Sequence, residues 1–115
     1  MLMAKKKIIF VNSNSNCEPV YTMGKTGDIV LCDTRPAPEG GIGSSLTILL
    51  PIASDHPGRM VTIKDIGAYI RNNDITVERR IPDIIDSGST AITFDFAGEY
   101  RTFVSDGKHT WYQIG

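Results

Sequence analysis

The residues best suited to catalysis in this chain are its two histidines, His56 and His109. Each has a serine close by in the sequence, and Asp55 precedes His56, so a nucleophile, a base and an orienting acid could be nominated. Turn geometry explains these residues more simply, because Ser54-Asp55-His56-Pro57-Gly58 consists of turn formers and His109 begins a strand after a tight turn. The sequence therefore predicts no catalytic residues, and we expect a protein that is not an enzyme.

Two other patterns suggest phosphate or metal binding at first sight. Gly24-Lys25-Thr26 resembles the end of a phosphate-binding loop, but that motif needs an earlier glycine at the position that Pro19 occupies here. Cys17 and Cys32 have no Cys-x-x-Cys spacing and no histidine nearby, so they predict neither a zinc site nor a disulfide framework. We expect no metal and no cofactor.

The acidic residues in the second half of the chain are scattered. Asp83, Asp86, Asp95 and Glu99 are separated by strand boundaries, so they do not form the dense loop of oxygens that a calcium site requires. Nor do they show the facing pair of carboxylates that glycoside hydrolysis needs. We expect these carboxylates to have no shared chemical role.

Composition limits the partners. The chain has 115 residues, a formal net charge of −1 and a pI of about 6.1, so it lacks the basic field that nucleic-acid binding normally requires. The apolar run at residues 8–11 is far shorter than a signal peptide's hydrophobic region or a ~20-residue membrane span. We expect one soluble domain, made in the cytoplasm, with neither nucleic acid nor membrane as a partner.

Short strands must position all of these residues. Apolar runs with polar alternation, separated by turn formers, predict strands at 28–32, 46–50, 59–66, 74–80, 90–96, 100–105 and 109–114. Asp106-Gly107 predicts a tight hairpin between the last two strands. This spacing favours an all-β fold, a compact sandwich or a barrel-like domain.

The amino-terminal segment has a different composition. Three lysines, Lys5 to Lys7, precede Ile8-Ile9-Phe10-Val11, and the turn formers of residues 12–16 separate this run from the rest. We predict an arm and polar linker over residues 1–26 and an all-β module over residues 27–115.

Several motifs of the module occur together in one order. They are Leu49-Leu50-Pro51, Gly58-Arg59-Met60-Val61-Thr62-Ile63-Lys64-Asp65, Asn73-Asp74-Ile75-Thr76, Ile85-Asp86-Ser87-Gly88, and Ser105-Asp106-Gly107 followed by Trp111-Tyr112. This order resembles a module of bacteriophage virion proteins, notably tail fibres, tailspikes and small capsid or head-fibre proteins. The resemblance covers roughly residues 27 to 115. It implies a structural homotrimer in which sister subunits cover strand edges and apolar outer faces.

The resemblance leads to a first hypothesis about function. The chain would be a capsid decoration or cement protein, or a short head fibre, that trimerises on the viral shell and binds the major capsid protein or another virion protein. Its docking arm would consist of Lys5, Lys6, Lys7, Ile8, Ile9, Phe10 and Val11, which would add a strand or insert apolar side chains into the neighbour.

Two alternatives remain open at this stage. The first is a tail-fibre or receptor-binding component that recognises a host glycan or protein through an exposed contact surface, with Tyr69, Arg71, Arg79, Arg80 and the 105–109 turn as candidates. The loop at residues 78–83 is charged where related modules often carry glycines, so it is a candidate for a contact surface of this chain's own. The second is a polysaccharide depolymerase, which the scattered carboxylates disfavour.

Overall fold

The computed structural model describes residues 6–12, 20–36, 44–70 and 72–115. Within these ranges the protein consists of strands and one short 3₁₀ helix, Ala53–Asp55, so the prediction of an all-β chain is confirmed. The strands are β1 (Ile8–Asn12), β2 (Val20–Thr22), β3 (Ile29–Asp33), β4 (Leu46–Leu49), β5 (Met60–Asp65), β6 (Ile75–Glu78), β7 (Ile84–Ile85), β8 (Ala91–Thr93), β9 (Tyr100–Ser105) and β10 (Thr110–Gln113).

Two sheets are built by winding the chain back and forth between them. Sheet A has the strand order β1-β3-β5-β9-β10-β7, and sheet B has the order β2-β4-β6-β8. From β1 to β6 the strands alternate between the sheets, and β1, β3 and β5 are parallel neighbours, as are β2, β4 and β6. This first half is therefore a small parallel solenoid, in which each coil adds one strand to each sheet.

The second half closes the solenoid with antiparallel strands. In sheet B, β8 pairs antiparallel with β6, and in sheet A, β9 pairs antiparallel with β5. The predicted hairpin is confirmed, because β9 and β10 are antiparallel and Gly107 in their turn has a φ of +76°, a conformation that glycine adopts without strain. The strand β7 forms the far edge of sheet A, where it pairs parallel with β10.

The core lies between the two sheets. It follows the alternation of side chains along each strand, in which one set of positions points inward and the next points outward. From sheet A come Val11, Val30, Cys32, Val61, Ile63, Phe103 and Trp111, and from sheet B come Leu46, Ile48, Ile75 and Val77, all in one buried cluster. Each fully buried side chain of this size stabilises the fold by about 1.5–3 kcal/mol relative to exposure.

A connecting segment between β4 and β5 seals one end of this core. Leu50 and Ala53 are buried, and the Trp111 indole donates a hydrogen bond to the Pro51 carbonyl at 2.9 Å. The Ser105 hydroxyl donates to the Ala53 carbonyl at 2.8 Å. The buried Asp83 carboxylate accepts a hydrogen bond from the Ala53 amide at 2.7 Å. These bonds satisfy the backbone of a buried loop, which would otherwise be costly to bury.

The sequence did not predict β1, β2 or β7 as strands of this fold. β2 has three residues and β7 has two, too few for an alternation pattern to emerge. β1 and β2, which lie in the segment predicted to be arm and linker, pair with β3 and β4 of the module.

Candidate functional site

The residues nominated for nucleophilic catalysis are not paired with one another in the described part of the chain. The imidazole of His56 lies 3.5 Å from the guanidinium of Arg59, and burial together with this positive charge lowers the pKa of His56. His109 Nδ1 lies 2.7 Å from the hydroxyl of Thr110. The Ser105 hydroxyl donates to a backbone carbonyl, so no histidine activates it there.

The scattered carboxylates accept hydrogen bonds from separate structural donors. Asp86 accepts one from the Gln113 amide at 2.9 Å, and Asp83 accepts one from the connecting segment. Glu99 accepts hydrogen bonds from the amides of Asp95 and Phe96 and from the Arg101 guanidinium. In the described ranges no group of three or more histidine, cysteine or acidic side chains is placed to hold a metal ion.

Cys32 is a buried thiol of the core. Burial, together with the nearby Asp65 carboxylate, raises its pKa to about 12, so the thiol stays protonated at neutral pH. Cys17 lies outside the described residues. Among the residues that the structure describes, no helix has the length and apolar character needed to cross a membrane.

The outer face of sheet A carries rows of apolar side chains. The first row runs from β1 to β9 and consists of Phe10, Leu31, Lys64 and Tyr100. The second row runs from β5 to β10 and consists of Met60, Val104 and Tyr112. Between these rows lie Ile8 and Ile29 on β1 and β3, followed by Thr62 and Thr102 on β5 and β9, whose hydroxyls are 2.9 Å apart. The outward apolar residues of the three rows form what we call the apolar face.

The charged residue in the first row does not break this face. The Lys64 ammonium donates a hydrogen bond to the Gly98 carbonyl at 2.7 Å and lies 5.9 Å from the centroid of the Tyr100 ring. The carbonyl and the aromatic ring stabilise the ammonium locally, and Lys64 remains a cation within the apolar face.

The apolar face is large for a surface exposed to water. Phe10, Tyr100 and Tyr112 are 72%, 58% and 47% exposed. Since an aromatic side chain presents about 150–250 Å², these three alone expose roughly 350 Å². Ile8 and Met60 are also exposed. The total reaches the upper part of the range for the largest patch on a typical monomer, ~300–600 Å², and such patches are often functional.

The outer face of sheet B is more polar than that of sheet A. Its central row consists of Val20, Thr47, Thr76 and Thr93. The hydroxyls of Thr76 and Thr93 lie 3.3 Å apart and form a hydrogen bond across β6 and β8. Hydroxyl rows of this kind are compatible with water, and the outward residues of β4, β6 and β8 include no aromatic side chain.

A signal for the apolar face is present in the sequence. Ile8-Ile9-Phe10-Val11 and Ile29-Val30-Leu31-Cys32 are continuous apolar runs, whereas a strand with one solvated face alternates apolar and polar residues. The inward members of these runs line the core, and the outward members form the apolar face. Such runs are typical of strands that are covered on both faces.

The residues predicted as a docking arm lie partly in this face. β1 is the edge strand of sheet A, with Ile8 and Phe10 exposed on its outer side, Ile9 half-buried and Val11 in the core. Lys6 and Lys7 are exposed just before β1, and the Lys7 amide donates to the Asp28 carboxylate at 2.8 Å. Lys5 lies outside the described residues.

The residues predicted as an exposed contact surface are separated. Arg79 and Arg80 follow β6 and line a groove, whereas Tyr69 is half-buried in the β5–β6 connection, where its carbonyl accepts hydrogen bonds from the Asn72 and Asn73 amides. Arg71 lies outside the described residues.

No protein-family model and no curated protein sequence matches the chain.

Proposed function

We propose that this chain is a non-enzymatic structural protein of a bacteriophage virion, a capsid decoration or cement protein or a short head fibre, that acts as a homotrimer on the shell. The observation that carries the proposal is the apolar face of sheet A. The ordered series of motifs that resembles phage virion modules supports it as well.

The apolar face suits a second and third copy of the same chain. A partner for this face must itself be apolar and nearly uncharged, because burying a charge against Phe10 or Tyr100 without a counter-charge would be costly. Sister copies supply such a surface in every particle, and closed symmetry lets each copy use the same residues. The face is smaller than the ~800 Å² per partner that standard interfaces bury, so polar residues around it would complete the interface.

Attachment to the shell would use the β1 edge and the lysines before it. As the edge strand of sheet A, β1 can accept an extended segment of a capsid protein by strand addition. Lys6 and Lys7 are exposed beside it and would favour an acidic patch on the partner. In this arrangement β1 takes part in the fold of the free protein and also presents its outer edge to the shell.

The oligomeric state is the first test of the proposal. Multi-angle light scattering on a sizing column, at several concentrations, should give a stable species of three subunits. A monomer at every concentration would overturn the trimer, and a stable dimer would assign the apolar face to a two-fold interface.

Capsid binding is the second test. Capsids stripped of this protein should rebind the native trimer at low salt, and a variant with Lys5→Gln, Lys6→Gln and Lys7→Gln should stay trimeric but bind at least tenfold more weakly. Lys25→Gln, which removes another exposed lysine, is the matched control and should bind like the native chain. Equal binding by the triple variant would exclude the lysines from docking.

A further inference from the structure

A groove of about 560 Å³ lies on the opposite side of the molecule from the apolar face. Leu49, Glu78 and Ala91 line it, and these three residues are register partners on the outer face of sheet B. Residues 79–81, Ile52 and Thr90 complete its wall. Pockets that bind small molecules have volumes of about 300–1,000 Å³, so the groove can hold a ligand the size of one or two sugar rings.

Two arginines in this groove have no carboxylate partner. Elsewhere in the described ranges, Arg35 pairs with Asp33 and Arg101 pairs with Glu99 and Asp95. Arg79 and Arg80 form no ion pair with any described residue, although Glu78 is their neighbour in the groove. The groove therefore presents two guanidinium groups whose charge is available to a ligand.

Arg79 also has an unused hydrogen-bond donor. Its Nε is shielded from solvent and lacks a hydrogen-bond partner in the described residues. Its backbone amide donates to the Thr90 carbonyl at 3.1 Å, which holds this part of the chain against the strand that follows. A buried donor without an acceptor is costly, by about 1–3 kcal/mol, and a ligand relieves that cost only when the Arg79 side chain turns to expose its Nε.

The remaining groups of the groove narrow the chemistry of the ligand. The Glu78 carboxylate accepts hydrogen bonds and the Thr90 hydroxyl can donate or accept them, which suits the hydroxyls of a sugar. Leu49, Ile52 and the exposed Ile81 offer apolar surface for the C–H face of a sugar ring. Glu78 repels any anion in the groove, and it repels a polyanion more strongly than a single carboxylate, whose charge the two guanidinium groups can offset.

We infer that this groove binds a carboxylated saccharide, with the ligand carboxylate on the guanidinium groups of Arg79 and Arg80 and its hydroxyls on Glu78 and Thr90. A guanidinium matches the two oxygens of a carboxylate in a bidentate pair, which gives both strength and orientation. This inference does not rest on trimer formation, since the groove belongs to sheet B and the apolar face to sheet A.

The test is a titration followed by the amide resonances of the uniformly ¹⁵N-labelled full chain. Sodium glucuronate should shift the amides of Arg79, Arg80 and Thr90, whereas glucose, its uncharged counterpart, should shift them at least tenfold less at equal concentration. Sodium acetate and inorganic phosphate are run as bare anions. Acetate shifts that match those of glucuronate would overturn the sugar assignment, and stronger binding of phosphate would overturn the carboxylate assignment.

Substitutions of the groove residues test their roles in ligand binding. Arg80→Gln and Arg79→Gln should each weaken glucuronate binding at least tenfold, and Thr90→Val should weaken it less. Arg35→Gln, which removes an arginine at the end of β3, is the matched control and should bind like the native chain. Retained binding by Arg80→Gln with an unchanged amide spectrum elsewhere would overturn the site. Light scattering on the same samples reports separately on self-association.

Discussion

At the scale of single residues, the buried carboxylates of this chain serve its backbone. Asp65, which is 1% exposed, accepts hydrogen bonds from the Gly67, Ala68 and Gly98 amides at 3.1, 3.2 and 2.9 Å. It thereby joins the turn after β5 to the loop before β9. A charged group at such a position is retained because several donors satisfy it, and so its burial alone does not indicate catalysis.

Glu99 is expected to make the stability of the protein depend on pH in the acid range. Burial raises its pKa, but the amides of Asp95 and Phe96 and the Arg101 guanidinium outweigh burial, so its pKa lies below the ordinary value of 4.5. Ionised Glu99 therefore stabilises the fold at neutral pH, and this contribution is lost as the pH falls below 4.5 and through the folded-state value. Glu99→Gln should lower the free energy of unfolding at pH 7 by about 1.5–3 kcal/mol.

Urea unfolding at a series of pH values checks this expectation. The native chain should lose stability on acidification more steeply than Glu99→Gln, because the variant has no carboxylate to protonate at this position. Asp55→Asn, at an exposed carboxylate, is the control and should follow the native curve. Parallel curves for the native chain and Glu99→Gln would contradict the role assigned to Glu99.

At the scale of elements, the connections of this fold are held in place by contacts between segments that are distant in sequence. The connecting segment between β4 and β5 is held by β9, β10 and Asp83, since Ser105, Trp111 and Asp83 all bond to its backbone. Gly107 in the hairpin turn also lies against this segment, because an added Cβ there would come within 2.8 Å of the Pro57 Cβ. The carboxy-terminal hairpin therefore fixes a loop that lies some 50 residues earlier in the sequence.

Trp111→Phe tests this dependence. The substitution removes the indole donor and leaves the buried Pro51 carbonyl without that partner, so we expect a loss of about 1–3 kcal/mol in the free energy of unfolding. Tyr112→Phe, at the exposed neighbouring residue, should change stability by less than about 0.5 kcal/mol. Urea unfolding at one fixed protein concentration measures both. Equal stability of the two variants would show that the bond to Pro51 contributes nothing.

At the scale of the whole molecule, the two sheets give the protein two different outer faces. Sheet A presents Phe10, Met60, Tyr100 and Tyr112, whereas sheet B presents a row of threonines and, beyond it, the arginine groove. A subunit with one apolar and one polar face can bury the first against sister copies and leave the second to solvent or a ligand. The proposed trimer and the proposed saccharide site are thus compatible in one particle.

Tyr100→Lys tests the apolar face at this scale. The new ammonium would stand beside Lys64 on the sheet and in the middle of the proposed interface, so we expect a folded monomer in place of the trimer. Thr93→Lys places the same charge on the outer face of sheet B and should leave the trimer intact. Light scattering gives the mass, and circular dichroism confirms that both variants are folded. A trimer of Tyr100→Lys would exclude this face as the interface.

The sequence by itself determined the strands. Each predicted strand contains an observed one, β3 displaced by a residue, because alternation and turn formers such as Asp106-Gly107 are local properties of the chain. It did not predict β1, which has the composition of a separate arm, or β2 and β7, which are too short for a pattern. Each of the three pairs with a strand that is distant in sequence. Pairing energy of this kind depends on residues far away in sequence, and so local patterns do not contain it.

Only the tertiary structure decided which strands are neighbours and what their faces present. The winding of β1 to β6 between two sheets places Phe10 beside Leu31 and Lys64 beside Tyr100, over sequence separations that no local pattern encodes. It also separates Tyr69 from the groove that holds Arg79 and Arg80. The residue pattern of a strand indicates that one of its faces is apolar, but the order of the strands in the sheets decides whether that face points to the core or to the outside.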